Sequence, residues 1–196
     1  MDLSLFNKSV SKLKFRMLTV RHLLESILPG DSCASIDLKD DYFHVPIVPR
    51  HSRFLRFFFQ GMAYVYTRLP FGYTLAPRTF TKCMNAALQP LREQGVRVLA
   101  YLDDLLVLAP SSRLAMEHTT SLVSHLNRLG FAIDWEKSSL VPSCQVTYLG
   151  LNLNTETMRA SLSDPRRRNL ELALQGARSS GPPLCVLSGS CQRRTR

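Results

Sequence analysis

Asp37 and the adjacent pair Asp103-Asp104 stand out because each sits where an apolar run ends. CASIDL (33–38) runs directly into Asp37, Asp40 and Asp41, and VRVLAY (96–101) is parted from LLVLAP (105–110) by Leu102 and the two acids alone. The acidic sites lie 66 residues apart in the chain (103 − 37), yet neighbouring antiparallel strands would bring them together. Carboxylates held that close repel one another unless a cation lies between them, and oxygen donors suit magnesium. Two such cations about 3.5–4 Å apart activate an attacking oxygen and stabilise a leaving one in phosphoryl transfer. Spacing alone leaves a second reading open, an ordinary hairpin at Asp103-Asp104, because Asp is a common turn residue.

The elements that would position these acids are legible as patterns. Residues 17–28 place Met17, Val20, Leu23, Leu24, Ile27 and Leu28 at helical spacing before Pro29-Gly30 stops the pattern. CASIDL reads as a short buried strand. RFLRFFF (53–59) and MAYVYTRL (62–69), joined by Gln60-Gly61, read as a hairpin. After the break LPFGYTLAP, a helical pattern spans Pro77–Arg92 with Phe80, Met84, Ala87, Leu88 and Leu91 on one side. A further helix covers 113–129 and is closed by Gly130. FAIDW and QVTYLGLNL read as two more strands, and 166–175 begins another helix after Asp164-Pro165. From 176 onward turn formers dominate without periodicity, which reads as disorder. The order implies an α+β fold, a sheet covered by helices on one face.

With 196 residues, 45% of them hydrophobic, the chain is long enough for one globular unit with a real core. Its formal charge of +10 favours a polyanionic partner. The excess is uneven: residues 159–196 hold eight arginines against two acids, a net of +6. The five cysteines are dispersed, without a C-x-x-C pair, and read as free thiols in a reducing compartment. MDLSLFNKSVSKLKF has no apolar leader core, and no stretch approaches the roughly 20 apolar residues of a membrane span. An intracellular chain that contacts no membrane is expected.

Five blocks, in order, resemble the motifs of reverse transcriptases. SIDLKDDYFHVPI is similar to motif A, LPFGYTLAPRTF to motif B, YLDD to the Y-x-D-D of motif C, LGFAIDWEKS to motif D, and VTYLGLNL to the primer-grip motif E. The wording LPFG, APRTFTK, YLDD and WEKS resembles retrotransposons of the DIRS type and related retroelements. The resemblance implies RNA-directed DNA polymerase activity, with deoxynucleotides (dNTPs) added to a primer 3′-end on an RNA or DNA template. It implies two Mg2+ ions, with Mn2+ as a substitute, held by Asp37, Asp103, Asp104 and the Leu38 carbonyl. Lys137 becomes the proton donor to pyrophosphate. Nucleotide-binding positions are Leu38, Asp40, Asp41, Tyr42, Phe43, Phe71 and Gly72, with Tyr42 the steric gate against a 2′-hydroxyl. Leu149 and Gly150 would place the primer end, and Arg53, Arg56 and Arg68 could reach template phosphates. An RNA-dependent RNA polymerase would carry Gly before the two acids and lack the aromatic gate.

The implied architecture is a polymerase palm with partial fingers and the start of a thumb. Residues 1–32 would be partial fingers and palm entry, 33–158 the palm core with a fingers hairpin at 53–69, 159–176 the start of a thumb or connection, and 177–196 a disordered tail. MDLSLFNKSV resembles the segment after the basic fingers strand, so the triphosphate-gripping arginine and lysine are expected before Met1. An RNase H domain is expected in the full polyprotein and is absent from these residues. Asp41 departs from the family, which places a small residue there, and sets an anion beside a tetra-anionic nucleotide. That departure motivates the alternative, an inactive fragment that keeps the palm fold and nucleic-acid binding.

Overall fold

The computed structural model describes residues 3–11 and 13–179. In chain order these form α1 (Ser4–Lys8), α2 (Val20–Ser26), β1 (Ser32–Leu38), a 3-10 turn (Asp41–His44), α3 (Pro49–Ser52), β2 (Arg56–Phe59), β3 (Met62–Val65) and α4 (Ala76–Glu93). Then follow β4 (Arg97–Tyr101), β5 (Asp104–Ala109), α5 (Ser112–Arg128), β6 (Ile133–Ser143), β7 (Gln145–Tyr148), β8 (Leu151–Asn154), β9 (Arg159–Leu162) and α6 (Asp164–Ser179). Two compact units result, Met1–Ser161 and Leu162–Arg196, the second described as far as Ser179.

The first unit is built on an antiparallel sheet of order β4-β5-β1-β6. β5 is apolar at every position from Leu105 to Ala109 and buried throughout, because both of its faces are covered. Leu105 and Val107, with Ala34, Ile36 and Leu38 of β1, meet Phe80, Met84 and Leu88 of α4 and Leu122 and Leu126 of α5. Apart from Ala34, each of these side chains contributes roughly 1.5–3 kcal/mol by leaving water. Cys33, Leu106 and Leu108 point the other way, onto Leu23, Ile27, Tyr148 and Leu153. The long helices therefore share one face, as the pattern implied, while α2 and the β7–β8 hairpin cover the other.

An ion pair fixes the entry to β1. Arg97, opening β4, reaches both carboxylate oxygens of buried Asp31 at 2.7 and 2.9 Å and the Ser26 carbonyl at 2.6 Å. The Asp31 carbonyl in turn accepts from Thr155 Oγ1 at 2.6 Å.

Several elements differ from the sequence reading. β6 runs eleven residues to Ser143, well past FAIDW, because its second half alternates exposed and half-buried positions along the sheet margin. QVTYLGLNL is two strands, since Leu149 and Gly150 take φ of 49° and 73° and turn the chain back. β9 completes a small sheet of order β7-β8-β9. The hairpin β2–β3 is shorter than its two sequence runs and turns at Gln60-Gly61 with φ of 49° and 76°, the left-handed pair that suits a two-residue hairpin loop. α6 extends to Ser179, into the stretch from 176 expected to lack structure; the rest of that tail lies outside the described residues. Among the described residues no helix is long and apolar enough to cross a membrane, and Cys33, Cys83 and Cys144 are free thiols.

Candidate active site

The register of the sheet brings the separated acids together. Asp37, at the end of β1, lies opposite Asp104 of β5 on one side and Asp134 of β6 on the other. Tyr101 pairs with Asp104, so Leu102 and Asp103 alone form the hairpin turn. Leu102 has φ of 54°, a conformation that costs a non-glycine residue about 1 kcal/mol or more. The Asp103 carbonyl accepts from Leu38 N–H at 3.2 Å, which pins the turn to β1.

Beyond β1 the chain bends sharply, with φ of 58° at Asp40 and 22° at Asp41, into the 3-10 turn. His44 anchors this bend. Ala132 N–H donates to His44 Nε2 at 2.9 Å, which leaves Nδ1 to carry the proton for its 3.0 Å bond to the Asp41 carbonyl. Asp41 thereby brings its carboxyl within hydrogen-bonding reach of Asp103. Asp40 is exposed and contributes its carbonyl, which accepts from Phe43 N–H at 2.7 Å.

Electrostatically the cluster is short of positive charge. Burial, then the charges of Asp103 and Asp37, push the Asp104 carboxyl up to about 6. Burial, then Asp103, does the same to Asp41, also to about 6. Burial raises Asp37 as well, against the opposing pull of Lys137. Lys137 on β6 stands 3.5 Å from Asp37 and 3.3 Å from Asp134, and its hydrogen bond to Asp134 and the charge of Asp37 raise its ammonium above the ordinary value. Even so, Asp37 Oδ1 is buried without a hydrogen-bond donor.

The donors suit a hard divalent cation: all are carboxylate or carbonyl oxygens, and Asp37 Oδ1 is buried with no hydrogen bond, the Lys137 ammonium standing 3.5 Å from it. Among the described residues, no three His, Cys, Asp or Glu side chains already converge as a finished cage. The carboxyls instead form two contacting pairs, Asp37 with Asp104 and Asp41 with Asp103.

Beside the acids, Tyr42 is buried, its ring 5.0 Å from Phe71 and 5.7 Å from Phe80. Phe43 meets Phe71 edge-on at 5.2 Å. Gly72 has φ of 83° at the head of the motif B loop. On the opposite side a cavity of about 210 Å³ is lined by Asp37, Asp104, Lys137, Tyr148, Leu149 and Gly150, among others. Sequence-derived candidates from motifs A, C, D and E thus converge on one sheet end, with the aromatic group of Tyr42, Phe43 and Phe71 adjoining.

Four further residues shape the site and were assigned no role from sequence. Ser138 accepts from Asp37 N–H at 3.0 Å and donates to the Asp134 carbonyl at 2.6 Å. Asp134 holds Lys137 from the same strand, and both newcomers lie inside the motif D wording. Tyr148 donates to the Asp104 carbonyl at 3.0 Å. Burial, with the charges of Asp104 and Asp103, raises its phenol far above the ordinary range, so it stays a donor. Asn7 of α1 clasps the motif B loop, donating to the Gly72 carbonyl at 2.8 Å and accepting from Thr74 N–H at 2.9 Å; no local signal in α1 announces it.

Comparisons with known proteins span the stretch of chain that holds these residues. The chain is 32% identical over 158 residues to the Gag-Pol polyprotein of Woolly monkey sarcoma virus, covering 76% of this chain and 9% of the polyprotein. It is 27% identical over 164 residues to Protein P of Duck hepatitis B virus (strain Germany/DHBV-3), covering 81% and 21%. In fold it is similar to the foamy viral protease-reverse transcriptase solved in complex with RNA/DNA hybrid, with a TM-score of 0.76, 20% identity and coverage of 91% of this chain and 24% of that one. The chain therefore spans a small part of each relative. The model of the family described as "Reverse transcriptase (RNA-dependent DNA polymerase)" matches residues 1–153, and with the in-register acids of β1 and β5 this places the chain in the reverse transcriptase family.

Proposed function

We propose that this chain is the palm core of an RNA-directed DNA polymerase that adds dNTPs to a primer 3′-end on an RNA or DNA template. The observation that carries the reading is the Asp37–Asp104 register, which sets the Asp103 turn against β1. Asp37, Asp103 and the Leu38 carbonyl would hold two divalent ions, Mg2+ or in its place Mn2+, with Asp104 in support. When bound, the ions supply charge neutralisation for the primer oxygen and the pyrophosphate. Lys137, kept protonated by Asp134 and Asp37, gives its proton to the departing pyrophosphate. Tyr42, buttressed by Phe71 and Phe80, offers a flat wall to the sugar and excludes a 2′-hydroxyl. Asp40 and Phe43 frame the bend beneath the triphosphate, Gly72 lets backbone approach the base pair, and Leu149-Gly150 seats the primer end.

The finer assignments rest on the motif wording. We read residues 1–32 as partial fingers and palm entry, 33–158 as palm core with its fingers hairpin, 159–176 as the start of a thumb, and 177–196 as a tail. The parent would be an intracellular retroelement of DIRS type whose polyprotein carries RNase H, and the reading frames flanking the gene test that origin. Activity is tested by primer extension with Mg2+ on RNA and DNA templates, comparing the chain with Asp103→Asn. Loss of about 100-fold or more in the variant is expected, the scale of removing one preorganised charge-stabilising group. Equal extension by both proteins would remove the assignment of Asp103.

A further inference from the structure

Tyr148 closes β7 immediately before the Leu149-Gly150 turn. Its ring is 3% exposed and packs in the cluster that holds Leu106 and Leu108 of β5. A phenylalanine would fill that space equally well, so packing does not account for the hydroxyl. The hydroxyl donates to the backbone carbonyl of Asp104 at 3.0 Å, 44 residues away in sequence. A buried phenol needs such a partner, and this partner is the residue that closes the acidic turn. The carbonyls of both acids are thereby held, that of Asp103 by Leu38 N–H of β1 and that of Asp104 by the Tyr148 hydroxyl. The cavity of about 210 Å³ between Asp37 and Asp104 on one wall and Leu149 and Gly150 on the other is bounded by this tyrosine.

We infer that Tyr148 is a positioning residue whose hydroxyl, on the Asp104 carbonyl, sets the Tyr101-Leu102-Asp103-Asp104 turn at a fixed separation from the Leu149-Gly150 turn. Two hairpins remote in sequence thus move as one piece. The catalytic consequence rests on the polymerase reading: with the hairpins uncoupled, the primer end and the acids sample wrong separations although each still binds its ligand. The mechanical coupling does not rest on it.

Tyr148→Phe in the full chain tests both parts, since it deletes one oxygen and leaves the ring. Amide hydrogen exchange of the metal-free protein reads the coupling. Exchange in 102–106 and 149–152 is expected to rise together by about 5- to 10-fold, the worth of one buried hydrogen bond, with α4 unchanged. In primer extension kcat should fall by about the same factor, while the KM for dNTP and the Kd for primer–template stay within about twofold. Unchanged exchange in either turn overturns the inference, as does a uniform rise that includes α4. A loss appearing in KM or Kd with kcat intact overturns it too, and so does faster exchange with every kinetic constant unaltered. If the unsubstituted chain extends no primer, the polymerase reading fails, and exchange alone decides the coupling.

Discussion

Asp41 is the residue on which the charge balance of the site turns. Its carboxyl sits against that of Asp103, and burial and that neighbour push it up to about 6. Two like charges 4 Å apart oppose each other by about 4 kcal/mol at an effective dielectric of 20, so under the proposed polymerase function an ionised Asp41 would work against an incoming triphosphate. Asp41→Ala is accordingly expected to lower the KM for dNTP by about tenfold, a fraction of that Coulomb limit; a KM that rises instead would show the carboxylate to be useful. The same residue gives a pH signature in the metal-free chain. Asp41 and Asp104 titrate near 6 in the fold against an ordinary 3.8, so the folded chain binds protons more tightly than the unfolded one. Their contribution is therefore complete below about pH 4 and is lost as pH rises through about 6. In chelator, the melting temperature relative to Asp41→Ala should fall between pH 4 and 7 by about 2–4 °C, on the order of 1 kcal/mol once solvent screening is allowed for. A difference that stays flat or grows with pH would contradict the shared burial of these carboxyls.

Among the elements, β1, β4 and β5 were legible because each is a short apolar run with acids at one end, and α4 and α5 because their apolar residues recur at helical spacing over four turns or more. β6 was legible only at Ile133–Trp135, since the following EKSSLVPS is polar and becomes strand by pairing with β1, a tertiary cause that leaves no local trace. Motif wording located Asp37, Asp103, Asp104 and Lys137, but not Asn7 or Tyr148, which act on residues 65 and 44 positions away. The Asp31–Arg97 pair is of the same kind: an acid before β1 and an arginine opening β4 become partners only once β5 lies between those strands. Arg97→Ala strands a carboxylate whose side chain is 2% exposed, with the Leu28 N–H at 2.7 Å as a remaining donor. Breaking a buried pair from one side costs about 3–5 kcal/mol, and partial exposure of Arg97 places the loss near the lower figure. Denaturant unfolding should show it as a lower midpoint with an unchanged slope, and Asp31→Asn combined with Arg97→Ala should recover part of the loss. A single variant as stable as the parent would mean that the Thr155 and Leu28 contacts to Asp31 hold this corner without the charges.

At the scale of the whole molecule, the two units divide the work unequally. Met1–Ser161 contains the sheet, the acids and every candidate site residue, whereas Leu162–Arg196 holds seven arginines against two acids, half of the formal +10. Affinity for duplex nucleic acid that comes from phosphate contacts falls with salt in proportion to the number of charges engaged, with a logarithmic slope near −0.9 per phosphate. Removing 162–196 should therefore cut the slope of log Kd against log salt by about 3 in magnitude, if roughly half of the seven arginines engage phosphates. Fluorescence anisotropy with a primer–template duplex between 50 and 200 mM salt, about the range over which such slopes are read, would measure it. The thermal midpoint of the remaining unit should hardly move, because the sheet and both of its hydrophobic clusters end before Ser161. An unchanged slope would instead assign the phosphate contacts to arginines of the first unit. The arginine-rich segment would then contribute net charge without gripping the duplex.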